Sequence, residues 1–180
     1  MEELANYLVT EVLRDSTVIL IRAIHPDDKE SLLRHFHGLS PESVYRRFFS
    51  PKRSLSDDDL RQLTELDFVN HVGLAATTEW DGDERFIGIG RYIRMENPAH
   101  AEVAFAVLDD HQGHGIATVL LKHLAKIARM NGVIRFEADV LGSNQPMIEV
   151  FGNSGFRASE SYEGGVVRVR LDLDGDDQSK

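Results

Sequence analysis

A chain of 180 residues, 42% of them hydrophobic, can bury one sizeable core and not two. Its net charge of -10 speaks against nucleic acid as a partner, and the lack of cysteine removes disulfides, thiolate nucleophiles and Cys-based zinc sites. No apolar run reaches the roughly 20 residues that cross a bilayer, and the acidic start MEELANYLVTEVLRD has neither the basic flank nor the apolar stretch of a signal peptide; the expectation is a cytoplasmic chain with no membrane partner.

In chain order, YLVTEVL and TVILIRAI flank Arg14-Asp15-Ser16 and predict a hairpin. His25-Pro26-Asp27 ends it, and Leu32, Leu33, Phe36 and Leu39 recur at helical spacing, with Gly38 suited to the helix end. A second helix starts at Ser40-Pro41 and a third follows Ser56, where SDDDLRQLTEL puts Asp and Leu in capping order. The basic run Tyr45 to Arg53 reads as a solvated surface, with a patch for a phosphate-bearing cofactor or an acidic partner as the alternative. HVGLAATTEW and RFIGIGRYIRM are strands joined by Asp81-Gly82-Asp83, and AEVAFAVL is a third.

After DDHQGHG comes the helix IATVLLKHLAKIARM, whose Leu120, Leu121, Leu124, Ile127 and Ala128 form an apolar face and which stops at Asn131-Gly132. VIRFEADVL is a strand, QPMIEVFGNSG a short helix and GFRASESYEGGVVRVRLDL a closing hairpin. This order is α+β with mixed strand pairing, in one domain spanning 1–173 before an acidic tail, 174–180.

The chemistry concentrates at the mouth of the long helix. Gly113 and Gly115 let the backbone approach a ligand without an intervening Cβ. The unpaired N–H groups of the first helical turn favour an anion such as pyrophosphate. A Walker loop is excluded because no Gly-Lys-Ser/Thr follows. A dinucleotide fold competes, with Asp139 near the position of a ribose-binding acid. Against it stand the five residues LDDHQ before the glycine, Thr118 at the third glycine position and the short chain beyond Val140.

Gln112-Gly113-His114-Gly115-Ile116-Ala117 resembles the Gln/Arg-x-x-Gly-x-Gly/Ala signature of the GNAT family of N-acetyltransferases. Asn144, Met147, Phe151 and Gly155-Phe156 resemble that family's second signature, in the right order and at the right spacing. LSPESVYRRFF and LTELDFVNHVGLAA are similar to stretches in the acetyltransferase domain of bacterial protein lysine acetyltransferases. The resemblance implies a mixed, mostly antiparallel sheet of about seven strands flanked by helices, and acetyl-CoA as cosubstrate with no metal.

It also implies Glu102 as general base, with Glu137 and Asp139 in reserve. Phe105, Ala106 and Val107 would hold the pantetheine arm through their backbone, and Gln112, Gly113, His114, Gly115, Ile116, Ala117 and Thr118 the pyrophosphate. Asn144 and Met147 would complete the cofactor set. The expected acceptor is the ε-amine of a protein lysine, for instance on an acyl-CoA synthetase; a small-molecule amine and a non-catalytic acyl-CoA sensor are the alternatives. A monomer or weak homodimer is expected. Phe151 stands where many relatives have a proton-donating Tyr, so no general acid is assigned. His35, His37, His111 and His114 read as surface residues.

Overall fold

The computed structural model describes residues 2–175, so most of the predicted tail lies outside the described residues. A single turn of helix, α1 (Glu2–Ala5), precedes the expected hairpin of β1 (Leu8–Val12) and β2 (Val18–Ala23). A 3-10 turn at Pro26–Asp28 leads into α2 (Lys29–Gly38), followed by α3 (Pro41–Phe48) and α4 (Asp57–Thr64). Both later starts are set locally. Ser40 Oγ accepts from Ser43 N–H with Pro41 behind it, and Ser56 and Asp59 form a reciprocal capping box. Strands β3 (His71–Trp80), β4 (Asp83–Arg94) and β5 (His100–Val107) follow, then α5 (Ile116–Met130), β6 (Arg135–Leu141), α6 (Gln145–Gly152), β7 (Arg157–Glu163) and β8 (Val166–Asp172).

Among the described residues these strands form one sheet of eight, ordered β1-β2-β3-β4-β5-β6-β8-β7, against the about seven that the family resemblance implies. Every neighbouring pair is antiparallel except β5 with β6. The last hairpin enters the sheet by its second strand, which places β8 between β6 and β7.

Alternation along the central strands fixes what each face carries. On β4, Gly88 and Gly90 lie under α5: a Cβ at Gly88 would stand 2.7 Å from Ile116 Cγ2, and one at Gly90 would stand 3.1 Å from Leu124 Cδ1. The two glycines let the long helix sit close to the sheet. Leu120, Leu121, Leu124, Ile127 and Ala128 are buried there, as the helical period predicted. Phe105 points to the same face, where its ring lies 6.0 Å from that of Phe151 in α6. The opposite face of β4 carries Ile89 and Arg91, covered by α2, α3 and α4.

Candidate active site

The functional geometry starts where the only parallel pair among the described strands comes apart. β5 and β6 are in register at three positions, His100 with Arg135, Ala101 with Phe136 and Glu102 with Glu137. Beyond them β5 continues to Val107 with β4 as its partner, while β6 continues to Leu141 with β8. The two strands therefore open into a fork whose apex holds Glu102 opposite Glu137. Backbone groups of a strand point alternately to its two neighbours, so half the N–H and C=O groups between Val103 and Val107 face this gap.

Phe105, Ala106 and Val107 lie along the fork. Phe105 and Val107 bury their side chains, so what they present to the gap is backbone. Glu102, Ala104 and Ala106 share the other face of β5. Glu102 is exposed, whereas the Glu137 side chain is largely buried among Arg170 Nε at 3.6 Å, Arg168 Nη1 at 3.8 Å and His100 Nδ1 at 3.9 Å. Asp139 is held bidentately by Arg168 at 2.8 and 2.9 Å. Of the three carboxylates, Glu102 alone stands at the apex without an ion-pair partner among the described residues.

The glycine loop closes the wide end of the fork. Gly113 and Gly115 both adopt positive φ, 78° and 88°, and a Cβ on either would meet nothing within 4 Å. Their lack of a side chain thus serves the backbone conformation and an open approach, not internal packing. Gly115 caps α5 with no side-chain acceptor, and no acidic residue sits in the first turn of Ile116, Ala117 and Thr118. The helix offers its free amides and the positive end of its dipole to whatever enters.

Side chains around the loop are occupied with holding it. Gln112 Nε2 donates to the Val107 carbonyl at 3.1 Å and to Ser43 Oγ at 3.2 Å. The Asp109 carboxylate accepts from Ser40 N–H at 3.0 Å, from Ser40 Oγ at 2.8 Å and from Ser43 Oγ at 3.1 Å, tying the loop to the start of α3. His114 Nδ1 lies 3.2 Å from Asp15 in the β1–β2 turn. On the far arm of the fork, Asn144 is buried at the head of α6 and does not cap it with its side chain; Met147 packs on the core one turn later. Phe151 is fully buried against Phe105, and Tyr162 is exposed on β7 with its hydroxyl on Glu160.

Three residues of this region were not recognised in the sequence. His35 is 4% exposed, against the expectation of a surface histidine, because α2 turns Leu32, His35 and Phe36 together onto the sheet. Burial, with the charges of Arg91 and Arg85 nearby, pushes its imidazole down to about 4. Arg47, within the basic run taken as solvated surface, is half-buried and lines a partly open pocket with Arg91 of β4, while its neighbours Arg46 and Lys52 pair outward with Glu42 and Asp59. The signal available in the sequence was Arg91 standing in phase with Ile87 and Ile89 of the stretch from Phe86 to Ile93, where it is the single charged residue. Among the described residues, no three His, Cys, Asp or Glu side chains converge as metal ligands, and no helix is long and apolar enough to cross a membrane.

Comparison with known proteins bears on this geometry. Residues 41–156 match the acetyltransferase (GNAT) family. The GNAT domain of S. lividans PAT superposes with a TM-score of 0.83 at 42% identity, over 92% of this chain and 96% of that one. An acetyltransferase of Pseudomonas aeruginosa is 31% identical over 146 residues, 81% of this chain and 78% of its own. Acetyltransferase Pat of Mycolicibacterium smegmatis is 37% identical over 157 residues; they make up 85% of this chain and 45% of that protein, so the chain spans about half of that relative. With its forked sheet, its open glycine loop and these likenesses, the chain belongs to the GNAT family of acetyltransferases.

Proposed function

We propose that this acetyltransferase takes its acetyl group from acetyl-CoA, delivers it to the ε-amine of a protein lysine, and uses Glu102 as general base. The observation that carries the reading is the position of Glu102 at the apex of the β5–β6 fork, at the opposite end from the uncapped start of α5. An extended carrier with a pyrophosphate at one end and a thioester at the other spans that arrangement. Gly113, His114, Gly115, Ile116, Ala117 and Thr118 would hold the pyrophosphate through backbone N–H groups, with Gln112 bracing the loop. Phe105, Ala106 and Val107 would hold the pantetheine arm through theirs, and Asn144 and Met147 would wall the far side.

The acceptor sets the demand for a base. A lysine near pKa 10.4 costs about 4.6 kcal/mol to neutralise at pH 7, against about 1.4 kcal/mol for an α-amine near pKa 8. In the proposed reaction the neutral amine bonds to the thioester carbon, the C–S bond breaks, the amine proton passes to Glu102 directly or through water, and coenzyme A leaves as thiolate. Phe151 has no proton to give and is sealed in the core, so the thiolate takes its proton from water. The lysine acceptor is supported by the likeness to a domain named PAT and to a protein named Pat.

Labelled acetyl-CoA with an acyl-CoA synthetase as acceptor tests the reading. Transfer to a lysine of that protein is expected, and Glu102→Gln slows it by several tens of fold or more while leaving coenzyme A affinity near normal. Equal rates for the two proteins from pH 6 to 9 would remove Glu102 from the role. Transfer to small amines only would replace the protein acceptor.

A further inference from the structure

From the pocket between the sheet and the three N-terminal helices, we propose that Arg47 and Arg91 form a carboxylate-binding site beside the reaction centre, with His35 on its wall. The pocket has a volume of about 30 Å³ and is walled by Leu32, Phe36 and Leu39 of the α2 region, Leu63 of α4, Ile89 of β4 and Ala104 and Ala106 of β5. That is room for a head group and not for a whole metabolite. Its walls are apolar except for two guanidiniums and one imidazole.

Among the described residues neither guanidinium has a carboxylate partner, and His35 Nε2 is buried with no hydrogen-bond partner. Arg91 is 4% exposed; its Nη1 faces the Leu63 carbonyl at 3.3 Å and His71 Nε2 at 3.2 Å. No carboxylate among the described residues pairs with Arg91 or Arg47, and the acid whose charge acts on Arg47 is Glu102, too far for an ion pair. His35 has one ring nitrogen against the Ala106 carbonyl and its Nε2 buried with no hydrogen-bond partner. Burial and the neighbouring Arg47 charge both oppose the Arg91 cation. A buried cation, Arg91, beside a half-buried one, Arg47, in a pocket of otherwise apolar walls calls for an anion. A carboxylate matches the guanidinium fork, and the His35 Nε2 lone pair suits a water or N–H group that accompanies it.

Location decides what the carboxylate belongs to. Ala104 and Ala106 follow Glu102 on the same face of β5, so the nearer lies about 7 Å along the strand from the proposed base. A short dicarboxylic acyl group on the thioester would reach that far with its free end, as would a small amine acceptor bearing its own carboxylate. In the first case the amine bonds to the thioester carbon, the C–S bond breaks, coenzyme A departs, the amine proton goes to Glu102 and the tail carboxylate is unchanged. These transfer arms rest on the proposed function, whereas binding of the carboxylate does not.

The experiment has three arms on wild type, Arg47→Met and Arg91→Met. Thermal melting in succinate is compared with succinamide at equal ionic strength; transfer from succinyl-CoA with butyryl-CoA; and transfer from acetyl-CoA to β-alanine with propylamine. We expect succinate to raise the melting point of wild type alone. One transfer arm should show at least a tenfold preference for the carboxylate-bearing compound, reduced to near parity by Arg47→Met. The arm that shows it identifies the source, donor or acceptor. Should Arg91→Met fail to fold, the half-buried Arg47→Met decides. No response to succinate beyond succinamide, or a response that Arg47→Met retains, overturns the site. Absence of transfer from every donor, including from acetyl-CoA to an acyl-CoA synthetase, refutes the proposed function and leaves the melting arm to judge the site.

Discussion

Gly88 offers a way to disturb the glycine loop, the proposed pyrophosphate site, without touching it. A Cβ at this position would lie 2.7 Å from Ile116 Cγ2, about 0.7 Å inside ordinary contact. Ile116 is the first residue of α5, and the rotamer of a β-branched residue in a helix is stiff, so relief comes by lifting the first turn and not by rotating the side chain. Overpacking of this kind costs about 1–3 kcal/mol, and for a chain of this size each kcal/mol lowers the melting point by about 2–4 °C. Gly88→Ala should therefore melt about 2–12 °C lower. If the displaced turn loses one charge-assisted hydrogen bond to pyrophosphate, coenzyme A binding should weaken by about ten- to a hundredfold. Gly73→Ala is the control. Its Cβ would crowd Leu66 Cδ1 at 2.9 Å and Ile24 Cδ1 at 3.3 Å, both free ends of side chains on the other face of the sheet. It should lose less stability and keep full affinity in calorimetry. Equal affinity in the two variants would refute the link between this packing and the loop.

Two further outcomes follow from the same geometry. Gly115→Val puts a β-branched residue at φ 88°, which costs about 1–2 kcal/mol of stability in urea melts, and also fills the open approach to the α5 amides, so calorimetry should show coenzyme A binding abolished. His35 is neutral in the folded chain at every pH above about 4, because burial disfavours its charge first and Arg91 and Arg85 add to that. Above pH 6.5 it is neutral in both states and costs nothing; as pH falls below 6.5 the unfolded chain takes up a proton that the folded chain refuses. Stability therefore drains away toward pH 4, by about 2–3 kcal/mol between pH 6.5 and 4.5. His35→Gln should flatten the pH profile of unfolding by that amount, and an unchanged profile would show that the imidazole is not shielded.

Much of the fold was legible because each element announces itself within its own residues. Ser40-Pro41 and the Ser56–Asp59 pair carry their caps in the sequence, and the apolar period of α5 runs unbroken to Asn131-Gly132. Pairing order is a different kind of information. Nothing local to Val166–Asp172 says that it, and not Arg157–Glu163, lies against β6. The fork was invisible for the same reason, since its apex depends on three residue pairs joined across some thirty-five positions. Gln112 shows how a motif residue can be found without its side-chain partners: it belongs to the loop signature, and its side chain braces Val107 and Ser43. His35 and Arg47 were read as solvated because charge and imidazole on a short helix normally are. Only the tertiary fold turns them toward Arg91.

Why the sheet divides between β5 and β6 follows from what each strand retains. Every other adjacent pair is antiparallel, the arrangement with the better hydrogen bonds per residue, and β5 and β6 are joined through α5 instead of by a hairpin turn. It is the weakest seam. Opening it costs neither strand its other partner, since Val103–Val107 stay on β4 and Ala138–Leu141 stay on β8. What the opening leaves is a row of backbone donors and acceptors along β5, groups that must be satisfied by water or by something of the same spacing. An arm carrying amides, threaded from the α5 amides down to Glu102, would supply the missing ladder bonds. The weakness of the parallel seam would then let one sheet serve both as scaffold and as the proposed binding cleft.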